Sequence, residues 1–350
     1  MNGERSNQTT VWPLWGHAQA VSTLSRAIAS HRVRHAYLID GPDGVGKRTL
    51  ALTFAQALCC IAAPEPGVPC GDCRSCRKIA RSVHPDVQTF GIESQIAGVT
   101  KATSKNTTLT IETIREMSAT AVLRPVECDW RVLIVDDAEL MQEAAQEALL
   151  KSLEEPPPFA VILLLASDAE LLLPTVRSRC QQIDLALLPR STIEQALIGR
   201  GIDSAKANHL ASASGGAPGW AIRALDQPKL LSDRAETLAR MMSWIGGTPF
   251  DRVVAAFRLG DSFSKRRPAV FQELEVALGV WRDALLIKAE QPTATMFPSI
   301  HAELSGVVEA WPLAAVHAAL RSVRQCIADL EANVRPRLAL EHMVLQWPIS

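Results

Sequence analysis

The chain has 350 residues, 47% of them hydrophobic, and a formal net charge of −1. That length buries a large core and points to more than one domain, while the near-neutral charge excludes binding of nucleic acid over a broad basic surface. Any DNA contact must be local or shared with partners. The most apolar run, Val161 to Ala166, is far short of the roughly 20 residues that cross a bilayer. With a polar start, Met1 to Thr10, that has no apolar signal core, a cytoplasmic protein without a membrane span is expected. Its eight cysteines then read as metal ligands or packed thiols and not as disulfides.

Through about residue 187, helix-period segments alternate with the short apolar runs Ala36–Ile39, Val87–Phe90, Arg131–Val135 and Val161–Leu165. This is the pattern of an α/β domain with a parallel sheet wrapped by helices. The first run leads into Gly41-Pro42-Asp43-Gly44-Val45-Gly46-Lys47-Arg48-Thr49 and then a helical run from Leu50 to Cys60. In such a strand, loop and helix, Gly41, Gly44 and Gly46 let backbone N–H groups face phosphates, and Lys47 reaches the terminal ones. A plain glycine turn would share the glycines, but not the lysine at the start of a helix. The motif departs from its rule in one place. It requires Ser or Thr directly after the lysine to ligate magnesium; Arg48 stands there, and Thr49 lies about 100° further round the helix.

Cys70-Gly71-Asp72-Cys73-Arg74-Ser75-Cys76 spaces three thiols so that they fold round a tetrahedral zinc ion, with Gly71 allowing the turn. Cys60, Cys59 and His84 are candidates for the fourth ligand. A site filled by four protein ligands is structural and not catalytic. Glu93 to Thr108, rich in Ser, Thr, Lys and Gly, reads as a surface loop, and Cys128, Cys180 and Cys326 as small packed thiols. The run Val132–Val135 ends in Asp136-Asp137-Ala138-Glu139. Asp136 is placed to support magnesium, with Asp137 beside it. Pro156-Pro157-Pro158 ends the helix that contains Ala145 to Leu153. Beyond Leu188-Pro189 strand signals stop. Ser191–Gly201 and Ser204–Ser214 read as short helices, and Phe271–Leu286 and Leu313–Leu330 carry apolar residues at helical spacing. Domains are expected over 1–187, 188–229 and 230–350.

His35-Ala36-Tyr37-Leu38, the glycine loop and Glu147-Ala148-Leu149-Leu150-Lys151-Ser152-Leu153-Glu154-Glu155-Pro156-Pro157 together resemble the clamp-loader subunits of bacterial DNA polymerase III. The resemblance extends over essentially the whole chain. It implies an AAA+ P-loop domain with an inserted zinc module at about 59–84, a small helical lid, and an all-helical collar through which subunits oligomerise. It also implies Cys60 as the fourth zinc ligand, Ser167 as a sensor of the terminal phosphate, and Arg223 in the region of a second sensor. Ser178-Arg179-Cys180 resembles the family motif whose arginine enters a neighbour's ATP site. There a guanidinium's fixed fork of donors meets the charge spread over a transferring phosphoryl group.

The implied cofactors are structural zinc and weakly held ATP or ADP with magnesium. The implied partners are tau/gamma and delta-type subunits in a hetero-oligomer and, through it, a sliding clamp and primed DNA. Relatives of the tau/gamma type have Lys-Thr or Lys-Ser and Asp-Glu where this chain has Lys47-Arg48 and Asp136-Asp137. Asp137 is one methylene shorter than the glutamate that orients water, and a 1 Å error costs about a hundredfold. Both departures favour the delta-prime type, with little ATPase and no polymerase chemistry of its own. The alternatives are an active tau/gamma-type ATPase and a zinc-containing, DNA-binding helicase-like protein. Neutral charge and the lack of interleaved aromatic and basic residues count against the last.

Overall fold

The computed structural model describes residues 12–97, 108–291, 295–332 and 334–349. It divides into two compact units, Met1–Leu187 and Leu188–Ser350.

In chain order the first unit contains α1 (Ala18–Ala29), β1 (Ala36–Asp40), α2 (Lys47–Cys59), α3 (Arg74–Ala80), β2 (Val87–Phe90), α4 (Ile92–Ala97), α5 (Ile111–Ala121), β3 (Arg131–Val135), α6 (Glu143–Glu154), β4 (Ala160–Ala166), α7 (Pro174–Arg177) and β5 (Gln181–Asp184). The strands form one sheet in the order β2-β3-β4-β1-β5, and every pairing is parallel. Each residue of β3 and β4 is buried, because a parallel sheet is covered on both faces. Side chains alternate between the two apolar layers. Tyr37, Ile39, Val132, Ile134, Val161 and Leu163 join Phe54 on one side; Leu38, Leu133, Val135, Ile162 and Leu164 join Ile114 and Leu149 on the other.

Four of these strands lie on the expected apolar runs. The fifth was not expected. In β5 only Ile183 is buried, and pairing to β1 holds a mostly polar edge strand in place. The stretch expected as a loop, Glu93 to Thr108, begins instead within α4, and its residues 98–107 lie outside the described residues.

Register brings the functional ends of the strands level. Asp40 pairs with Ala166, and Val135 with Leu164. From β1 the chain leaves toward β2, while from the adjacent β4 it leaves toward β5. Connections that part in opposite directions open a crevice at the carboxyl ends of the two strands, the usual ligand position in such sheets.

The second unit is helical: α8 (Arg190–Gly199), α9 (Ser204–Ala213), α10 (Pro218–Asp226), α11 (Lys229–Gly246), α12 (Pro249–Lys288), α13 (His301–Val308), α14 (Leu313–Glu331) and α15 (Pro336–Leu345). Trp281 packs edge-on against Trp347 at 5.2 Å and lies 5.9 Å from Trp311. Arg252 is buried among them, yet its charge is not stranded. It donates to the carbonyls of Trp244, Ile245, Trp347 and Pro348 at 2.6 to 3.3 Å, joining α11, α12 and the C-terminal turn. Helix α12 breaks its geometry at Arg266, two residues before Pro268, where the proline ring removes a hydrogen bond and crowds the preceding turn. No helix among the described residues is long and apolar enough to cross a membrane.

Candidate functional site

The loop after β1 requires glycine at its first position. Gly41 has φ 148°, and a Cβ there would lie 2.1 Å from the Leu185 carbonyl oxygen. Gly44 and Gly46 also have positive φ, 76° and 114°, which L side chains avoid. Gly46 caps α2, and Lys47 is its first residue. The Lys47 ammonium reaches back over the loop, donating to the carbonyl of Gly41 at 2.6 Å and to Ser167 Oγ at 3.1 Å, with Asp43 at 3.4 Å. Ser167 Oγ in turn donates to Asp43 at 3.1 Å. Lys47 and Ser167, 120 residues apart, therefore meet at the crevice between β1 and β4.

Arg48 points toward β3. Its guanidinium donates to Asp136 Oδ2 at 3.2 Å. Thr49, one position on, is exposed, and Asp137 is an exposed residue in the left-handed region at φ 54°. Six of the sequence-selected residues thus form a continuous set: Gly41, Gly46, Lys47, Arg48, Asp136 and Ser167. Thr49 and Asp137 stand at its outer edge.

Arg179 lies between α7 and β5. It donates to Glu154 Oε1 at 2.6 Å and to the Thr175 carbonyl at 2.9 Å, with 37% of its side chain exposed. Arg223 is an exposed residue of α10 in the second unit.

The four sulfurs of Cys60, Cys70, Cys73 and Cys76 lie within 4.8 Å of one another. Cys60 is the C-cap of α2 and Cys73 the N-cap of α3. The separations Cys60–Cys73 and Cys70–Cys76 are both 4.0 Å, close to the ~3.8 Å edge of a tetrahedron with ~2.3 Å zinc–sulfur bonds. Backbone N–H groups of Cys70, Cys73 and Cys76 point at the sulfurs of Cys60, Cys70 and Cys73 at 3.3 to 3.4 Å. Burial resists ionisation of Cys73, but the N–H groups of Cys76 and Ile61 outweigh it and bring the thiol down to about 6. Donors turned toward the Cys73 sulfur favour its thiolate, the form that binds metal, while burial pushes the Cys60 and Cys76 thiols up from their ordinary value.

The two rival ligands are engaged elsewhere. Cys59 is joined to Cys128 in a disulfide, so Cys128 is not the inert packed thiol expected, and not every cysteine is free. Neither residue has a neighbour in sequence that signals the pairing across 69 positions. His84 has both ring nitrogens in use, one at 3.0 Å from Ser75 Oγ and the other accepting from Asp86 N–H at 3.1 Å. Asp86 is itself saturated by the N–H groups of Val126, Glu127 and Cys128 and lies 3.5 Å from the Arg131 guanidinium.

Glu139 was passed over in the sequence, where it follows the two aspartates without a motif to mark it. Its Oε2 is buried with no hydrogen-bond partner among the described residues. Burial pushes its carboxyl up from 4.5 to about 7; Asp137 adds to the push, while Lys47 and Ser167 oppose it. An acid whose pKa is raised on folding keeps its proton in the native state while the unfolded chain loses it. Stability therefore falls as pH rises from 4.5 to about 7. The cost reaches at most about 3 kcal/mol. The Glu139→Gln variant should be free of it. Urea unfolding at about pH 5 and pH 8 should show the variant gaining on the native chain at the higher pH, and an equal difference at both would refute this assignment.

Residues 16–189 match the family described as DNA polymerase III, delta subunit. A DNA polymerase III subunit delta' from Pseudomonas aeruginosa is 34% identical over 187 residues, 53% of this chain and 53% of that protein. A DNA polymerase III subunit gamma/tau from Mycobacterium tuberculosis is 32% identical over 228 residues, 63% of this chain and 37% of that protein. The chain thus spans about half or less of the length of these relatives. Among solved structures, a DNA polymerase III gamma subunit-related protein from Thermotoga maritima aligns with 16% identity and TM-score 0.36, covering 93% of this chain and 97% of that one. The Thermotoga maritima RuvB Holliday junction branch migration motor aligns with 19% identity and TM-score 0.37, covering 79% and 78%. Matched over residues 16–189 by the delta-subunit family and related in sequence to subunits of both the delta-prime and gamma/tau kinds, this chain is a member of the DNA polymerase III clamp-loader family.

Proposed function

We propose that the chain is a delta-prime-type clamp-loader subunit. Within a cytoplasmic hetero-oligomer with tau/gamma and delta-type subunits, it helps an ATP-driven loader place a sliding clamp on primed DNA. In this reading residues 1–187 are an AAA+ domain, 188–229 a lid and 230–350 a collar.

The observation that carries the reading is the Arg48–Asp136 pair at 3.2 Å. Phosphoryl transfer in P-loop proteins uses magnesium held by the Ser or Thr after the lysine and by an acid on a neighbouring strand. Here the residue after the lysine offers no oxygen, and its guanidinium answers the charge of the acid. The site keeps the shape of a phosphate loop while lacking the ligand that would fix the metal. Its own hydrolysis is weak or absent, and Arg179 acts on the ATP of a neighbouring subunit.

Cys60, Cys70, Cys73 and Cys76 would hold structural zinc, whose chemistry is to cross-link the end of α2 to the start of α3. An active tau/gamma-type ATPase is the competing reading, favoured by the 32% identity to a gamma/tau subunit. Turnover by the isolated chain would support it.

Three measurements test these assignments. Arg179→Ala should lower turnover at the dependent site of the assembled loader by about 10³-fold, with clamp and primed DNA present and assembly unchanged. Clamp-dependent turnover equal to that of the native assembly would refute the donated arginine. Arg48→Thr should tighten magnesium-dependent ATP binding by at least about tenfold, or 1.4 kcal/mol, whereas Arg48→Ala should not. Equal effects of the two would mean that the missing oxygen is not what weakens the site. Purified protein should contain about one zinc per chain. Less than half an equivalent, with Cys70, Cys73 and Cys76 freely alkylated in the native state, would remove zinc from the description.

A further inference from the structure

Helix α3 places its cations at the spacing that helices ordinarily give to their apolar side. Arg74, Arg77, Lys78 and the C-cap residue Arg81 fall at i, i+3, i+4 and i+7, one face of a helix. The opposite face buries Ser75, Cys76 and Ile79. With Val83, the four cations line a concavity of about 360 Å³. Among the described residues only Glu127 answers them, at 2.5 Å from Lys78 and 3.9 Å from Arg74. Arg77 and Arg81 are exposed and make no ion pair among the described residues. This concentration of charge stands on a chain whose formal net charge is −1.

The helix dipole favours Arg77 and Lys78 in the last turn of α3, but it does not call for cations along the whole face. The pairs Arg74–Lys78 and Arg77–Arg81 are like charges at i, i+4, each destabilising a helix by about 0.2–0.5 kcal/mol, in a helix of only 7 residues. A solvated face of mixed charge would avoid that cost. The stripe spans about 10 Å along the helix axis, the length over which one strand of duplex DNA presents about three phosphates. Three of the four cations are arginines, whose rigid fork of donors grips phosphate oxygens in pairs. No aromatic side chain lines the concavity, so it has no platform for stacking bases.

We propose that Arg74, Arg77, Lys78 and Arg81 form a sequence-independent docking surface for the phosphate backbone of DNA. This rests on the clamp-loader reading but goes beyond it, since it makes the chain touch DNA directly and not only through its partners.

The test uses the full chain, a fluorescein-labelled primer–template duplex, and anisotropy titrations at several salt concentrations upward from about 50 mM. The native protein should bind with log K falling against log salt with a slope of about −3. The double variant Arg77→Glu/Arg81→Glu removes two cations that hold no ion pair, so its fold and zinc content should match the native chain. It should bind at least about tenfold more weakly and lose about two units of slope. Duplexes of unrelated sequence should bind alike. Native protein that fails to bind at the lowest salt, or a double variant with unchanged affinity and slope, would overturn the proposal. So would a variant that keeps its DNA affinity and loses loader partners, which would assign the face to an acidic protein surface. Co-purification of both proteins with tau/gamma and delta-type subunits tests the clamp-loader reading separately. Its loss in both would sink that reading, whereas retained assembly with no DNA response would sink only the docking surface.

Discussion

The register of β3, β4 and β1 is the constraint on which the candidate nucleotide site depends. Because Val135 is level with Leu164 and Ala166 with Asp40, the segments that follow three strands emerge on one edge of the sheet. There Asp136, Ser167 and the glycine loop meet, though nearly 130 residues separate the first from the last. Each strand's ladder fixes the height of the next, and the alternation of side chains fixes which layer each residue joins. A slip of one residue would exchange the two apolar layers across the sheet. The polar cluster at the crest is thus positioned by apolar packing well below it.

Much of this was legible in the amino-acid sequence, for a physical reason. Fully buried parallel strands must be continuous apolar runs, so Arg131–Val135 and Ala160–Ala166 announce themselves within their own few residues. The glycine loop is equally local, since its conformation demands glycine where φ is positive. What could not be read is whatever depends on partners far along the chain. Strand β5 is polar in three of its four residues and gains its identity only from pairing with β1. Arg48 shows in sequence as a departure from a motif, but that it grips Asp136 is a fact about two segments 88 positions apart. Glu139 has no signal at all, because its burial comes from the turn that follows β3.

The cysteines show the same division. Spacing identifies Cys70, Cys73 and Cys76 as a group, but it leaves the fourth ligand open among Cys60, Cys59 and His84. On the proposed zinc reading, contacts favour Cys60. Cys59 is turned to Cys128, and His84 is used up between Ser75 and Asp86, which leaves Cys60 as the sulfur within reach. The adjacent residues Cys59 and Cys60 differ because α2 ends between them. The last helical residue faces the core, and the next, in extended conformation, faces the loop that carries the other thiols.

Two arginines can be weighed against each other on the proposed reading. Arg48 pairs with Asp136 while half exposed, and Arg179 pairs with an equally exposed Glu154. Ion pairs so open to water are worth about 1 kcal/mol at most. Neither is strong enough to act as a lock. For Arg179 that weakness is an advantage, because an arginine finger worth about 10³-fold or more in rate contributes about 4 kcal/mol at the transition state and readily outcompetes its resting partner. For Arg48 the same weakness relocates the cause of poor nucleotide handling. A divalent ion would displace the guanidinium from Asp136 if the rest of its coordination were present, so the pair is a consequence of the defect and not its source. The source is the hydroxyl missing after Lys47, a loss that no rearrangement of the neighbouring side chains can restore, since Thr49 lies on another face of the helix.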